Sequence, residues 1–146
     1  MNLVSGQVVD AAFHIHYQLG PGLLESVYER ILERSLLKRG LAVERQTRVG
    51  FEFDGERFDN AFRADLIVER CVLVEVKSVV DLTPVYFMQV HTYLRLLNYP
   101  VGLLINFNVA LIKHGIKRLI NDRSPYGQNN RLRVQHFHGD GERGRR

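Results

Sequence analysis

An apolar strand, a helix and a second apolar strand follow one another in the second half of the chain, and this order constrains the fold most strongly. Residues 72–76 (VLVEV) and 101–107 (VGLLINF) have the length of strands buried on both faces. Their composition is also typical of such strands, with the exception of one glutamate. Between them, Thr83 and Pro84 form a typical helix start, and Pro100 follows the expected helix end. Two strands joined by a crossover helix pair in parallel, with a right-handed connection. The chain is therefore predicted to be an α/β protein.

The first half of the chain predicts two helices followed by antiparallel strands. Apolar residues recur at helical spacing over residues 4–17 and 23–38, and the two helices should form an antiparallel pair. On the second helix, the residues expected to face inward are Leu24, Val27, Ile31 and Leu32. From residue 43 the period changes to two, and Asp54-Gly55 is a strong two-residue hairpin turn. A second hairpin follows, so the predicted fold has a mixed central β-sheet, an antiparallel meander plus one parallel strand, flanked by helices.

Charged residues interrupt the second hairpin, residues 62–78 (FRADLIVERCVLVEVKS), at positions that ought to be buried. A three-residue turn at its centre places Asp65 opposite Glu75 and Arg63 opposite Lys77. The same register collects apolar side chains on the other face, namely Phe62, Ala64, Leu66, Val68, Val72, Val74 and Val76. Two opposed carboxylates about 5 Å apart repel by roughly 3 kcal/mol at an effective dielectric constant near 20. Something must therefore compensate their charge.

Two interpretations of these charges are compatible with the sequence. In the first, Arg63 and Lys77 neutralise the acids in a four-charge patch on an exposed sheet face. In the second, a divalent cation bridges Asp65 and Glu75, with the backbone carbonyl of Val76 as a further ligand. Mg²⁺ suits such a site because it prefers oxygen ligands and commonly binds one or two carboxylates while it keeps several waters. The ammonium group of Lys77 would then reach a metal-bound water or a phosphate oxygen.

Two motifs connect the chain with a known family. Asp65 with Glu75-Val76-Lys77 matches the D…(D/E)xK signature of the PD-(D/E)xK nuclease superfamily, and residues 22–28 (GLLESVY) match the pattern GxxExxY. Further similarities are the sequence around this pattern, LGPGLLESVYERILE, the tripeptide Arg63-Ala64-Asp65, Gln89 followed by Tyr93, and LLINF at residues 103–107. From roughly residue 4 to residue 120 the chain resembles the GxxExxY family of that superfamily.

The resemblance implies a restriction-endonuclease-like core and a site that hydrolyses phosphodiester bonds. It makes Asp65 and Glu75 the principal metal ligands and Lys77 the catalytic lysine. It makes Glu25 the acid that the first core helix contributes, and Gln89 a polar partner on the following helix. The implied cofactor is Mg²⁺, with Mn²⁺ as a substitute, and the implied partner is nucleic acid, DNA rather than RNA.

Two alternative functions are compatible with the same residues. A catalytically inactive module could keep the nuclease fold and bind nucleic acid or a protein partner. A metal-dependent enzyme could also act on some other phosphate compound, since fold similarity alone does not decide function. An inactive protein with a decayed site would be expected to have lost some of the site residues. All five are present, which favours an active nuclease: Glu25, Asp65, Glu75, Lys77 and Gln89.

The net charge of +4 is located in the C-terminal segment. Residues 123–146 carry six arginines against two acids, whereas residues 1–122 hold fourteen basic and fourteen acidic residues. We therefore expect a nuclease-like domain at residues 1–122 and a flexible basic tail at residues 123–146. The apolar runs are too short for a membrane span, and the one cysteine, Cys71, excludes an internal disulfide. These features predict a cytoplasmic protein without a membrane partner.

Overall fold

The computed structural model describes residues 3–121 and 132–138, and these residues form a sheet with helices on both faces. The helices are α1 (Leu3–Leu19), α2 (Glu25–Lys38) and α3 (Pro84–Leu97). The strands are β1 (Val43–Phe53), β2 (Glu56–Val68), β3 (Val72–Lys77), β4 (Val101–Asn106), β5 (Ile116–Ile120) and β6 (Leu132–His138). A short 3-10 helix, Ile112–His114, precedes β5.

The sheet combines one parallel pair of strands with antiparallel neighbours. Its strands lie in the order β5-β4-β3-β2-β1-β6. Strands β3 and β4, which α3 connects, pair in parallel with Glu75 opposite Leu104. The other neighbouring strands pair antiparallel. The predicted α/β class, an antiparallel meander plus one parallel strand with flanking helices, is confirmed.

Helices on both faces of the sheet create two hydrophobic cores. Helices α1 and α2 cover one face as an antiparallel pair, since Arg39 after the end of α2 lies 2.8 Å from the carboxylate of Asp10 in α1. Helix α3 covers the other face. A Cβ on Gly102 of β4 would lie 3.0 Å from Val90 and 3.1 Å from Leu94, so glycine lets α3 approach the sheet closely. Strand β4 is buried along its whole length between the two cores.

The buried face of α2 differs from the predicted one. Leu24 and Val27 were expected to point inward, but they are 73% and 38% exposed. Leu32 is fully buried as predicted, and Tyr28, which was not predicted to face inward, is fully buried too. The helix begins at Glu25, so Leu24 precedes its first turn, and residues four apart form the stripe that packs on the sheet.

Both hairpins have the predicted register near their turns. Asp54 and Gly55 adopt positive φ angles of 51° and 79°, as a two-residue hairpin turn requires. In the second hairpin, Leu66 lies opposite Val74, and the ladder continues to the turn. This register brings Asp65 of β2 beside Glu75 of β3.

The prediction of one continuous apolar face on β2 is wrong in the first half of the strand. Leu66 packs in the core under α1 and α2, as predicted, but Phe62 and Ala64 pack in the core under α3. The side chains change faces at Asp65. At the same level of β1, Gln46 has a positive φ of 54°, and the β1–β2 ladder is interrupted there. The irregularity therefore lies at one of the proposed metal ligands.

The segment expected to be a tail contains a strand that was not predicted. Strand β6 extends the sheet by pairing antiparallel with β1, with Val49 opposite His138. The remaining positions of the expected flexible tail, residues 123–131 and 139–146, lie outside the described residues. In the part of the chain that is described, no helix has the length and apolar character of a membrane span.

Candidate active site

Asp65 and Glu75 lie together where β2 and β3 separate. The backbone N–H of Val76 donates to Asp65 Oδ2 at 2.9 Å, and the N–H of Asp65 lies 3.5 Å from Glu75 Oε1. Each carboxylate thus accepts from the backbone of the neighbouring strand. Glu75 is only 4% exposed, although it is charged in water. Two acids are therefore fixed side by side, one of them buried.

The surroundings of Glu75 oppose its negative charge. Burial raises the pKa of Glu75 well above its usual range, and the nearby charge of Asp65 raises it further. The positive charge of Lys77 opposes this rise. A buried carboxylate beside another carboxylate is unfavourable unless a proton or a cation compensates it. The donors are hard oxygens, and two carboxylates are the number that Mg²⁺ commonly accepts from a protein. The pair therefore fits a divalent cation.

Lys77 lies one side-chain period beyond Glu75 on β3. Its Nζ is 4.7 Å from the centroid of the Tyr86 ring on α3, a cation–π contact that holds the ammonium group at the end of the strand. Within the described residues, no ion pair joins Lys77 or Arg63 to Asp65 or Glu75. The four-charge patch of the first interpretation is therefore not present in this part of the chain.

Glu25 is attached to the end of β3, next to Lys77. Its Oε1 accepts the backbone N–H of Ser78 at 3.1 Å, and the Ser78 hydroxyl donates to the carbonyl of Leu23 at 2.8 Å. In the described residues, no three acidic, histidine or cysteine side chains form a cluster able to surround a metal ion. Glu25 is thus brought to the same edge of the sheet as Asp65 and Glu75, but does not complete a three-residue cluster with them.

The tyrosine of the GxxExxY pattern fixes the start of α2. The buried hydroxyl of Tyr28 donates to the carbonyl of Gly20 at 2.6 Å and accepts from the N–H of Leu23 at 3.2 Å. Its ring stacks on Phe107 with centroids 4.5 Å apart. Gly20 and Gly22 both have positive φ angles, 69° and 103°, which glycine adopts without strain. Glycine and tyrosine together therefore set where Glu25 enters the first turn.

Gln89 lies on α3 and interacts with Tyr93. The Gln89 side chain is exposed on α3 and forms a hydrogen bond with Tyr93 that lowers the pKa of the phenol. Burial and the charges of Glu75 and Asp65 outweigh it and raise the Tyr93 pKa. The Tyr93 ring stacks on Phe62 with centroids 3.9 Å apart. Tyr93 thus lies close enough to the carboxylate pair for the two charges to act on its phenol.

The structure adds two residues that the motifs do not contain, Gln46 and Glu29. Gln46 Nε2 donates to Glu29 Oε1 at 2.7 Å and lies 3.3 Å from Asp65 Oδ1. Gln46 holds a positive φ although it is not glycine, a conformation that is unfavourable unless the surroundings enforce it. Glu29 is a buried acid 3.6 Å from Arg45. One amide therefore links Asp65 to a second buried carboxylate on α2.

We predict a pH-dependent effect of Glu29→Gln on stability. Burial, despite the Gln46 hydrogen bond, raises the Glu29 pKa from 4.5 to about 7. The folded state therefore binds this proton more tightly than the unfolded state, and the contribution to stability is lost as pH rises from 4.5 to about 7. Glutamine does not titrate in this range, so Glu29→Gln should not lose stability in this way.

Thermal denaturation of wild type and Glu29→Gln across this pH range tests the prediction. The melting temperature of the variant minus that of the wild type should increase with pH, since every titrating group that the two proteins share cancels in the difference. A difference that stays constant from acid to neutral pH would show that Glu29 keeps an ordinary pKa in the folded protein.

Comparison with known families identifies the superfamily of the chain. Residues 2–119 match the family model of the PD-(D/E)XK nuclease superfamily. The match covers most of the 146-residue chain, so the protein belongs to this superfamily of nucleases. No curated protein and no solved structure gives a significant match. The mixed sheet with its flanking helices is accordingly a restriction-endonuclease-like α/β fold.

Proposed function

We propose that this protein is a divalent-metal-dependent nuclease that hydrolyses phosphodiester bonds in nucleic acid, in DNA rather than RNA. The observation that carries the proposal is the buried Glu75 beside Asp65, with Lys77 one side-chain period away, in a member of a nuclease superfamily. Buried acids without a compensating charge destabilise a fold, so their retention favours a function that needs them.

Each residue of the site has a distinct role in this proposal. Asp65 and Glu75 would hold Mg²⁺ or Mn²⁺, with the Val76 carbonyl as a further candidate ligand. Such an ion, when bound, lowers the pKa of a coordinated water and neutralises charge on the phosphate. Lys77 donates N–H hydrogen bonds from Nζ, either to the attacking water or to the phosphate oxygen on which negative charge develops.

The remaining residues position this centre. Glu25 binds the Ser78 N–H and so fixes the main chain that follows Lys77. Gln89 orients Tyr93 by the hydrogen bond to its hydroxyl, at the side of the carboxylate pair that α3 covers. Gln46 orients Asp65. We place this activity in the cytoplasm, as the single cysteine suggests.

A cleavage assay with the wild-type protein tests the proposal. Supercoiled plasmid, linear duplex, single-stranded DNA and RNA would each be incubated with Mg²⁺, with Mn²⁺ or with EDTA. We expect cleavage of at least one DNA substrate with either metal, slower cleavage of RNA, and none in EDTA. Binding of DNA without any cleavage would instead support the inactive module. Cleavage that persists in EDTA would exclude the metal-dependent mechanism.

A further inference from the structure

A buried asparagine lies beside Lys77 on the neighbouring strand. Asn106 is the last residue of β4, is only 2% exposed, and is the Cα partner of Lys77 in the parallel ladder. Leu104, two residues earlier, packs under α3, so alternation places the Asn106 side chain on the same face of the sheet. Lys77 also points to that face, since its Nζ contacts Tyr86 of α3. The amide and the lysine side chain are therefore neighbours at the edge of the sheet where the site lies.

The Asn106 side chain binds both polar backbone groups of Val79. Its Oδ1 accepts the Val79 N–H at 3.1 Å, and its Nδ2 donates to the Val79 carbonyl at 2.9 Å. The same Oδ1 also accepts the N–H of Asn108 at 3.2 Å. Strand β3 ends at Lys77, and Val79 follows two residues later. The amide thus takes the place of a neighbouring strand for the main chain beyond the end of β3.

Two further hydrogen bonds hold the main chain at the end of β3. The Phe107 N–H donates to the Lys77 carbonyl at 3.0 Å, and the Ser78 N–H donates to Glu25 Oε1 at 3.1 Å. Together with the Asn106 contacts, these bonds fix the main chain at three successive positions. The first of these positions is the lysine itself.

The position of the lysine ammonium group depends on this segment in two ways. A lysine side chain is long and flexible, so Nζ is well placed only if the main chain that carries it is fixed. The segment also leads into α3, which begins at Pro84 and carries Tyr86, the aromatic partner of Nζ. Holding Val79 therefore fixes both Lys77 and the path to the ring that it contacts.

We propose that Asn106 is a positioning residue for Lys77, and that it acts by holding the backbone of Val79. This inference rests on the proposed function and adds a residue that serves the reaction through the lysine, without touching the substrate. A displacement of about 1 Å in an active site can lower a rate about a hundredfold. A purely structural asparagine would instead change the stability of the protein and leave the lysine in place.

NMR spectra of protein with isotope-labelled lysine side chains report where Lys77 lies, whether or not the protein cleaves a substrate. The Tyr86 ring shields the nearby protons of Lys77 and shifts their signal, which is assigned by its absence in Lys77→Arg. Asn106→Ala should move this signal towards those of the exposed lysines. If Asn106→Ala does not fold, Asn106→Ser, which can keep one of the hydrogen bonds, is measured in its place and held to the same outcomes.

Asn121→Ala is the matched control for the loss of buried amide contacts. Asn121 Nδ2 also donates to two backbone carbonyls, at 2.9 and 3.2 Å, but it lies at the opposite end of β4. The control should lower the melting temperature, as Asn106→Ala does, and should leave the Lys77 signal in place.

Steady-state cleavage with Mg²⁺ separates this inference from the function on which it rests. Asn106→Ala should lower kcat about tenfold with little change in KM, and Asn121→Ala should keep the wild-type kcat. In the Lys77→Ala background, Asn106→Ala should cause no further loss, because residues that act as a unit are not additive.

The outcomes distinguish the two proposals. An unmoved Lys77 signal in Asn106→Ala, or the same loss of kcat with and without the lysine, would overturn the positioning role alone. A displaced signal in Asn106→Ala, with no cleavage by the wild type, would support the positioning of Lys77 and overturn the nuclease.

Discussion

Lys77→Ala is expected to lower the rate of metal-dependent cleavage at least a hundredfold, because the charge of its ammonium group acts on the buried Glu75 carboxylate two residues away on the same strand. Removing one preorganised donor to a developing negative charge typically costs about 10²–10³ in kcat. Lys77 lies at the end of β3 and is partly exposed, so its loss leaves the cores intact. Single-turnover cleavage of the preferred DNA, with both proteins at equal concentration, measures the effect.

Lys117→Ala is the matched control for this experiment. Lys117 is an exposed lysine on the edge strand β5, two strands from β3, and is paired with Leu104 of β4. Its removal changes net charge by the same amount without touching the site, so cleavage should continue at the wild-type rate. If Lys77→Ala cleaves as fast as the control, either Lys77 has no catalytic role or the observed activity belongs to a contaminant.

The second large effect is expected from Glu75→Gln, which should abolish metal binding and lower cleavage at least a hundredfold. The substitution keeps the shape of the side chain but removes the charge that attracts a divalent cation. Without metal, the variant should be at least as stable as the wild type, since a buried carboxylate beside Asp65 is replaced by a neutral amide. Loss of function with retained or increased stability is expected when an acidic residue serves the activity of a protein and not its fold.

Thermal denaturation with and without Mn²⁺ measures both parts of this prediction. The wild type should melt at a higher temperature with the metal, because a ligand that binds the folded state stabilises it. Glu75→Gln should show no such increase, while the exposed-site control Glu56→Gln should behave like the wild type. A metal-dependent increase of equal size in Glu75→Gln would exclude Glu75 as a ligand, and a large drop in its metal-free melting temperature would indicate a structural role.

Local patterns were sufficient to predict the fold class, but not the edge strand β6. The strand, helix and strand between residues 72 and 107 required a parallel pair, and the turn at Asp54-Gly55 required an antiparallel one. The hairpin register that placed Asp65 beside Glu75 followed from the three-residue turn and from the alternation of apolar residues next to it. These features depend on neighbours in the chain, so the sequence contains them directly.

The link through Gln46 could not be predicted, because it depends on an irregularity in the sheet. The ladder shifts between Val49 and Phe51, so that Thr47 pairs with Ala64 and the register from the turn no longer holds. Continued without this shift, that register would place Gln46 opposite Arg63, not beside Asp65. Gly50 was the available signal: a Cβ there would lie 2.5 Å from the carbonyl oxygen of Phe58.

Tertiary contacts determine the positions of Glu25 and Glu29. Motif resemblance implied that Glu25 belongs to the site, but its hydrogen bond to Ser78 N–H depends on how α2 docks against the end of β3. Glu29 follows Glu25 by four residues and so shares its helical face, which was the one hint in the sequence. Its environment depends on Gln46 and Arg45, which contact its carboxylate in the folded chain.

The most direct test of the account is the position of Mn²⁺ in a crystal of the wild-type protein, located by anomalous scattering. We predict a peak about 2.1 Å from a carboxylate oxygen of Asp65 and at the same distance from one of Glu75. Diffraction from a protein at saturating Mn²⁺ that shows no peak between these two side chains, or one coordinated by other residues alone, would contradict it.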